Sequence, residues 1–182
     1  MISREEALVM VKKELKQKNL VKHVLATEAV MKALAEKMGE DKDVWGMAGL
    51  LHDLDYEYTS EEPSKHARMT VEMLKDKDVP EEVLDAILAH NEQKPRETAI
   101  EKAIYAADPV TGFIVASVLI RKGTRLEDLD VPFLMNRFKE KSFARGANRD
   151  QMSSCEELGL SLESFLGISL AAMQGISKDL GL

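Results

Sequence analysis

Histidines, one of them followed directly by an aspartate, are the side chains of this chain most suited to chemistry. The 182 residues include four histidines: His23, His52, His66 and His90. His52 precedes Asp53 and follows the apolar residues 47–51. An imidazole and a carboxylate at the end of an apolar helix are costly to bury unpaired, and a metal ion would satisfy both groups at once. The pair predicts a metal site, although any single histidine could have an ordinary structural role.

A metal site at His52 needs ligands from other parts of the chain. Adjacent residues on a helix point in different directions, so His52 and Asp53 cannot complete a site by themselves. Asp108 stands directly before Pro109, in a segment with helical character. Helical bundles can direct several carboxylates and histidines into one interior. We therefore expect the other histidines and Asp108 to converge on the His52–Asp53 pair.

The elements that must position these side chains are predicted to be helices. Alternating β-branched or aromatic stretches between turn signals are not found. Ser3 with Glu6 forms a capping box, and Gly39 and Gly159 are typical stop signals. The predicted helices span residues 3–18, 23–38, 43–53, 64–75, 80–91, 100–120, a short stretch from Pro132, and 161–179, with a polar loop at 54–63. Ser64 is expected to cap the fourth helix, and Pro109 to kink or break the sixth.

Composition narrows the class of protein. With 25 basic and 32 acidic residues the net charge is −7, which argues against a general nucleic-acid-binding protein. Cys155 is the only cysteine, which excludes an internal disulfide and favours a reducing, cytoplasmic setting. Apolar runs are far shorter than the roughly 20 residues of a membrane span. We expect one helical unit, with residues 1–122 as a metal-binding domain and residues 123–182 as a C-terminal helical cap packed on it.

The order of the ligand candidates resembles a known family. The sequence His…His-Asp…Asp, at His23, His52-Asp53 and Asp108, resembles the HD superfamily of metal-dependent phosphohydrolases. The additional His66 and His90 resemble its dinuclear branch. Residues 106–113 and 141–149 are similar to a compact bacterial and archaeal group of predicted HD hydrolases, which extends the likeness over nearly the whole chain. The resemblance implies an all-α HD-domain helical bundle with a C-terminal helical extension.

The resemblance also implies a ligand assignment and a reaction. Asp53 would bridge two divalent metals, with His23, His52 and Asp108 on one and His66 and His90 on the other. Iron, manganese, zinc, cobalt or nickel suits such a donor set better than calcium does. Two ions about 3.5–4 Å apart would hold a bridging hydroxide as the nucleophile, with Asp53 and His52 at the catalytic centre. The expected reaction is hydrolysis of a phosphoester or phosphoanhydride, in a nucleotide or small phosphate ester.

One departure from the family concerns the phosphate. Many HD phosphodiesterases continue with Gly-Lys after a spacer residue, and that lysine helps to hold the phosphate, whereas this chain continues with residues 54–56, Leu-Asp-Tyr. The cations must come from elsewhere. Residues 136–149 carry five basic residues and one acidic one, a balance of 5 − 1 = +4. We expect four cations to bind the substrate: Lys141, Arg145, Arg149 and Lys65. The alternative is a solvated helix face with a charge bias.

The predicted ligand set is also compatible with other functions. A dinucleoside polyphosphate hydrolase and an HD-type di-iron oxygenase would use a compatible ligand set, and oxygen consumption would distinguish the second. A non-catalytic metal-holding module is disfavoured by the complete ligand set. Asp55, Tyr56 and Tyr58 could line the pocket or orient a metal-bound water, although a polar loop is the simpler interpretation. The expected partner is a small phosphorylated substrate, with neither a membrane nor general nucleic-acid binding.

Overall fold

Helices account for all regular secondary structure among the described residues, which are 1–120 and 122–182 of this computed structural model. The α-helices are α1 (Arg4–Glu14), α2 (Lys18–Met38), α3 (Lys42–Leu51), α4 (Tyr56–Thr59), α5 (Arg68–Leu74), α6 (Glu81–His90), α7 (Ala99–Leu119), α8 (Val131–Lys139), α9 (Arg149–Ser153), α10 (Leu162–Gln174) and α11 (Ser177–Leu180). Short 3-10 helices span Leu126–Asp128 and Ser154–Leu158. The all-α prediction is therefore confirmed.

Several predicted helix ends are confirmed by their caps. The Ser3 hydroxyl accepts the Glu6 N–H while the Glu6 carboxylate accepts the Ser3 N–H, which starts α1. Gly39 ends α2 in the left-handed conformation, with φ 77°, where glycine carries no Cβ penalty. The Ser161 hydroxyl accepts the N–H of Ser164 and starts α10. These ends depend on local chemistry, which is why the sequence predicts them well.

Other predicted helix ends are wrong, including the start of α2, which lies at Lys18 and not at His23. Ser64 does not cap a helix, because residues 61–67 form turns and α5 starts only at Arg68. Ala67, with φ 69°, is left-handed and cannot belong to a right-handed helix. The loop expected at 54–63 contains the single-turn helix α4, and α1 stops at Glu14 instead of continuing to residue 18. The last helix stops at Gln174 and is followed by the separate α11.

The central helix α7 runs without a break through Pro109. The proline lacks the N–H that would bond one turn back, yet helical structure continues on both sides of it. Helix α7 is as long and as apolar as a membrane-spanning helix. In its most apolar stretch of 18 residues, 67% is buried inside the protein. It packs against α2, α6 and α10, so the C-terminal helices and the ligand-bearing helices share it as a common core element.

Helices α2 and α3 approach each other closely at Gly49. A Cβ on Gly49 would lie 2.8 Å from the backbone carbon and oxygen of Thr27 and 2.9 Å from the Cα of Glu28. Backbone atoms cannot move aside as the end of a side chain can, so this crossing requires glycine. Since His52 is the residue that directly follows α3, the same close contact sets where the His52 imidazole enters the core.

We predict that Gly49→Ala lowers the stability of the protein by about 2 kcal/mol, since overpacking against backbone outweighs the gain in helix propensity. The melting temperature should fall by about 5 °C. Gly46→Ala on the same helix is the matched control, because an added Cβ there meets only the Lys32 side chain, which can swing away. Equal melting temperatures for the two variants in thermal unfolding would contradict the prediction.

Candidate metal centre

The structure brings together all six predicted metal ligands. Two of them come from the interior of long helices, His23 from α2 and Asp108 from α7. His52 and His90 stand at the C-terminal ends of α3 and α6, and Asp53 follows His52. His66 lies in the turn before α5, beside the left-handed Ala67. Five separate segments thus converge, as expected from the sequence.

Asp53 occupies the middle of the cluster. Its Oδ1 lies 3.4 Å from His52 Nε2, 3.3 Å from His66 Nε2 and 3.6 Å from His90 Nε2. Its Oδ2 lies 3.4 Å from His23 Nε2. One carboxylate therefore faces all four imidazoles with both of its oxygens.

Asp108 lies close to two of the histidines, His23 and His52. Its Oδ1 lies 3.0 Å from His23 Nε2 and 3.8 Å from His52 Nε2. The donor atoms of His23, His52 and Asp108 lie within 4.8 Å of one another, as do those of His52, Asp53 and His90. The cluster thus contains two overlapping groups of ligands, each compact enough to hold a metal ion.

Backbone carbonyls fix the tautomers of the two most deeply buried histidines. His52 Nδ1 lies 2.9 Å from the carbonyl oxygen of Gly49, and His90 Nδ1 lies 2.5 Å from that of Ile87. A carbonyl can only accept, so each Nδ1 carries the hydrogen. These carbonyls belong to the last turn of a helix and have no helical partner, which explains why a histidine at a helix end turns its ring in this way. The Nε2 lone pairs consequently point into the cluster.

Side-chain oxygens orient the other two histidines. His66 Nδ1 lies 2.7 Å from Asp55 Oδ1, and the buried Asp55 is itself held by the N–H of Thr70 at 3.1 Å. His23 Nδ1 lies 2.9 Å from the Thr111 hydroxyl. That hydroxyl donates its hydrogen to the carbonyl of Asp108, so it accepts from His23. All four imidazoles therefore donate outward from Nδ1 and present Nε2 inward, the arrangement that supports metal-ligating histidines.

The donor set fits a cation. The Nε2 atoms of His23 and His52 are 3.2 Å apart, and so are those of His66 and His90. Neutral imidazoles would point lone pairs at each other and at two carboxylates, an arrangement that only positive charge can stabilise. Nitrogen and carboxylate donors suit divalent transition metals. The residues present therefore fit a divalent metal ion.

Without a metal, protons must supply this positive charge. Burial acts to lower the pKa of His23, but hydrogen bonds and charge from Asp108 and Asp53 outweigh it and raise that pKa to about 10. Burial also acts to lower the pKa of His66, but hydrogen bonds and charge from Asp53 and Asp55 outweigh it and raise that pKa to about 10. The surrounding imidazoles hold the pKa of Asp53 and of Asp108 well below the usual range, although burial opposes this.

We predict that metal affinity rises steeply with pH. At neutral pH His23 and His66 of the metal-free protein hold protons, because their pKa values are raised to about 10. A metal ion must displace those protons, so binding should release about two protons and strengthen by about 100-fold per pH unit below pH 8. Calorimetric titration with Mn²⁺ at pH 6, 7 and 8 measures this, and a dissociation constant independent of pH would contradict it.

A cavity of about 510 Å³ opens over the cluster. Its floor contains His23, Asp53, His66 and Asp108. The other ligands, His52 and His90, lie buried behind this floor. The wall opposite comes from the C-terminal extension and includes Ala144, Gly146, Ala147 and Gln151. Reactants would therefore meet the cluster from the side where Asp53 and Asp108 face the cavity.

Arg149 does not face this cavity. Its guanidinium donates to the backbone carbonyls of Phe138, Phe143, Ala144 and Ala147 at 2.7–3.3 Å. It also lies 4.6 Å from the centre of the Phe113 ring. Arg149 thus holds the loop before α9, with four of its five N–H donors bound to carbonyls, which disfavours the phosphate-binding role expected from the sequence.

The other three predicted substrate cations also lie outside the cavity lining. Lys65 is exposed and pairs with Glu62 at 2.6 Å. Lys141 and Arg145 are exposed. Arg145 is the nearest of them in sequence to the wall, because both of its neighbours, Ala144 and Gly146, line the cavity. Among the described lining residues there is neither a lysine nor an arginine.

The structure reveals supporting residues that sequence reasoning missed or weighed lightly. Asp55 accepts a hydrogen bond from His66 and orients its ring. This contact favours a supporting role for Asp55 at the cluster over a place in a merely polar loop. Tyr56 packs edge-on against the His66 ring at 5.6 Å and lines the cavity. Tyr58 instead donates to the half-buried Glu14, is 54% exposed, and does not line the cavity. The roles of Thr70 and Thr111 have no signal in the sequence, because their contacts cross between helices.

A helical bundle whose interior carries four imidazoles and two carboxylates defines a class of metal-dependent proteins. Within that class, the chain belongs to the HD domain family, whose model matches residues 20–112. That match includes all six ligands, and it confirms the membership of the HD superfamily of metal-dependent phosphohydrolases expected from the sequence.

Curated relatives match part of this chain. The ribonuclease Y of Desulfotalea psychrophila is 30% identical over 137 residues, 72% of this chain and 26% of that protein. The enzyme of the same name from Nitratidesulfovibrio vulgaris is 30% identical over 115 residues, 62% of this chain and 22% of that protein. The chain thus spans about a quarter of the length of these relatives. No solved structure shows a significant match.

Proposed function

We propose that this protein is a divalent-metal-dependent hydrolase of a phosphoester or phosphoanhydride. The observation that carries the proposal is the inward convergence of four Nε2 atoms and two carboxylates under an open cavity. Family membership supports hydrolysis over a purely structural metal site. The opening of the cluster on one side also supports it, since a catalytic metal site keeps positions accessible.

We further propose two ions per chain. Asp53 would contribute to both, with His23, His52 and Asp108 at one ion and His66 and His90 at the other. The distances support this division, because among the four described histidines Asp108 lies within 4 Å of His23 and His52 alone. When bound, such ions supply Lewis acidity and a water of lowered pKa.

The chain's own residues would then organise the reaction. Four outward hydrogen bonds from Nδ1 hold the imidazoles in place, so the ligands need little rearrangement on binding. Asp53 and Asp108 face the cavity and neutralise cationic charge in the floor. A water adds to phosphorus, the phosphorus–oxygen bond to the leaving group breaks, and the leaving oxygen departs with a proton. Tyr56 and the wall from the C-terminal extension would contact the substrate, since both line the cavity.

A small substrate is favoured over a long nucleic acid. The relatives are named ribonucleases, which supports a phosphodiester or related bond as the target. This chain carries a net charge of −7, however, and its cavity lining lacks lysine and arginine among the described residues. A long polyanion would be repelled by such a surface. The same absence disfavours a dinucleoside polyphosphate, which carries several phosphates that need cations.

Elemental analysis followed by a substrate screen tests the proposal. The purified protein, loaded with the metal found or with Mn²⁺, is assayed on phosphate monoesters, diesters, nucleotides and a dinucleoside polyphosphate. Metal-dependent release of phosphate or a phosphomonoester is expected. Oxygen uptake by the iron(II)-loaded protein, with no hydrolysis of any ester, would favour the di-iron oxygenase instead. A metal-containing protein inactive in both assays would indicate a binding module.

Arg145 is the predicted cation at the cavity mouth, because both of its neighbours in sequence, Ala144 and Gly146, line the cavity. We predict that Arg145→Ala raises KM for a phosphate ester by about fivefold with little change in kcat, because an exposed ion contact is worth about 1 kcal/mol. Lys139→Ala is the matched control, since Lys139 is an exposed cation of the same basic segment. If steady-state kinetics give the same KM for both variants, Arg145 belongs to a solvated surface.

A further inference from the structure

A second cavity, of about 410 Å³, lies beside the one above the metal cluster. The two cavities share His23 and Gly112 in their linings. The side cavity is walled by apolar residues from α2, α7 and the C-terminal end, including Ala26, Val115, Leu119 and Leu180. Leu119 is 70% exposed, so this cavity opens to the surface on that side. An apolar space thus adjoins a polar, metal-binding one.

Gly112 stands where the two cavities meet. It lies inside α7 and does not have a positive φ. A Cβ built there would find no heavy atom within 4 Å. Alanine is favoured over glycine inside a helix, so neither backbone conformation nor packing requires glycine here. What the missing side chain provides is open space between the cavities.

The two linings differ in chemistry. The first cavity has imidazole and carboxylate groups in its floor, where a metal-bound phosphate would sit. The side cavity offers mainly hydrocarbon surface, with the shared His23 and with Asn19, Lys22 and Thr111 as its polar members. Both volumes lie in the range of small-molecule sites, about 300–1,000 Å³. A ligand that occupies both must combine one compact anionic group with one largely apolar group.

We propose that the side cavity binds the organic group of the substrate, and that Gly112 admits it. The preferred substrate is then a phosphate ester with one large, mainly apolar or aromatic substituent. This inference rests on the proposed phosphohydrolase function for the position of the phosphate. Its binding component can be measured without turnover.

Phosphonates provide that measurement, because their carbon–phosphorus bond is not cleaved. The Mn²⁺-loaded protein should bind phenylphosphonate at least about tenfold more tightly than methylphosphonate, since only the phenyl ring buries apolar surface. Gly112→Leu should reduce this preference to below about twofold. In the same variant, the ratio of kcat/KM for phenyl phosphate to kcat/KM for methyl phosphate should also fall to below about twofold. The melting temperature of the variant should be no lower than that of the wild type, because leucine is favoured in a helix.

Gly146→Leu is the matched control. Gly146 also has no heavy atom within 4 Å of an added Cβ, but it lines only the first cavity. This variant should affect the phenyl and methyl compounds alike. A wild-type preference near one, or a preference that survives in Gly112→Leu, would overturn the inference. Hydrolysis of both esters without preference would refute the side-cavity role and retain the proposed function. A preference for phenylphosphonate without hydrolysis of any ester would support the side-cavity role and refute the proposed function.

Discussion

Asp53→Asn is expected to remove the bound metal and all measurable hydrolysis while leaving the helical content unchanged. Among the described residues, Asp53 is the one side chain that lies within 3.6 Å of all four imidazoles, through both of its oxygens. Asparagine keeps the shape but removes the negative charge and one acceptor, so metal affinity should fall by about 100-fold or more. Elemental analysis after dialysis, circular dichroism and an ester assay measure the three quantities.

Asp76→Asn provides the control for this substitution, because Asp76 is exposed, lies in the turn after α5 and is not one of the six ligands. It should retain the metal and activity of the wild type. Full metal stoichiometry in Asp53→Asn would mean that the central carboxylate is not a ligand. In that case the proposal that one carboxylate serves two ions would have to be abandoned.

His66→Ala is expected to reduce the metal content from about two ions per chain to about one and to abolish hydrolysis. His66 contacts Asp53 and His90 but not Asp108, so it belongs to one side of the cluster. The ion at His23, His52 and Asp108 should persist, because these ligands and their outward hydrogen bonds are unchanged. A two-metal reaction fails when either ion is lost.

Wild-type protein with a single ion would contradict this prediction at the outset. His66 and His90 would then support the cluster or contact the substrate. A substituted protein that still binds two ions would exclude His66 as a ligand. Comparison with Asp55→Asn separates ligation from orientation: that variant should weaken the same ion by about 10–100-fold without eliminating it, because Asp55 acts through the His66 ring.

The ligand positions could be predicted because they depend on a few uncommon residues. Histidine occurs only four times, and its order with Asp53 and Asp108 resembles one family. Helix ends such as Ser3 and Gly39 were equally accessible, since each depends on residues a few positions apart. Local chemistry and rare residue types therefore carried most of the correct prediction.

Contacts between helices explain what the sequence could not predict. Arg149 looks like a substrate cation in a basic segment, yet its environment is set by carbonyls and by Phe113, which lies 36 residues earlier in the numbering. Thr111 and Asp55 have ordinary surroundings in sequence, and only the packed bundle places them against His23 and His66. Ala67 shows the same limit: a left-handed alanine is imposed by tertiary structure and not by residue preference.

The wide spacing of the ligands along the chain has a thermodynamic consequence. His23 and His52 are 29 residues apart, and His66 and His90 are 24 residues apart, yet each pair meets in the cluster. A bound ion would act as a cross-link that closes loops of this length, in a chain whose single cysteine permits no covalent equivalent. Chelation should therefore lower resistance to heat and proteases, coupling the protein's lifetime in the cell to its metal supply.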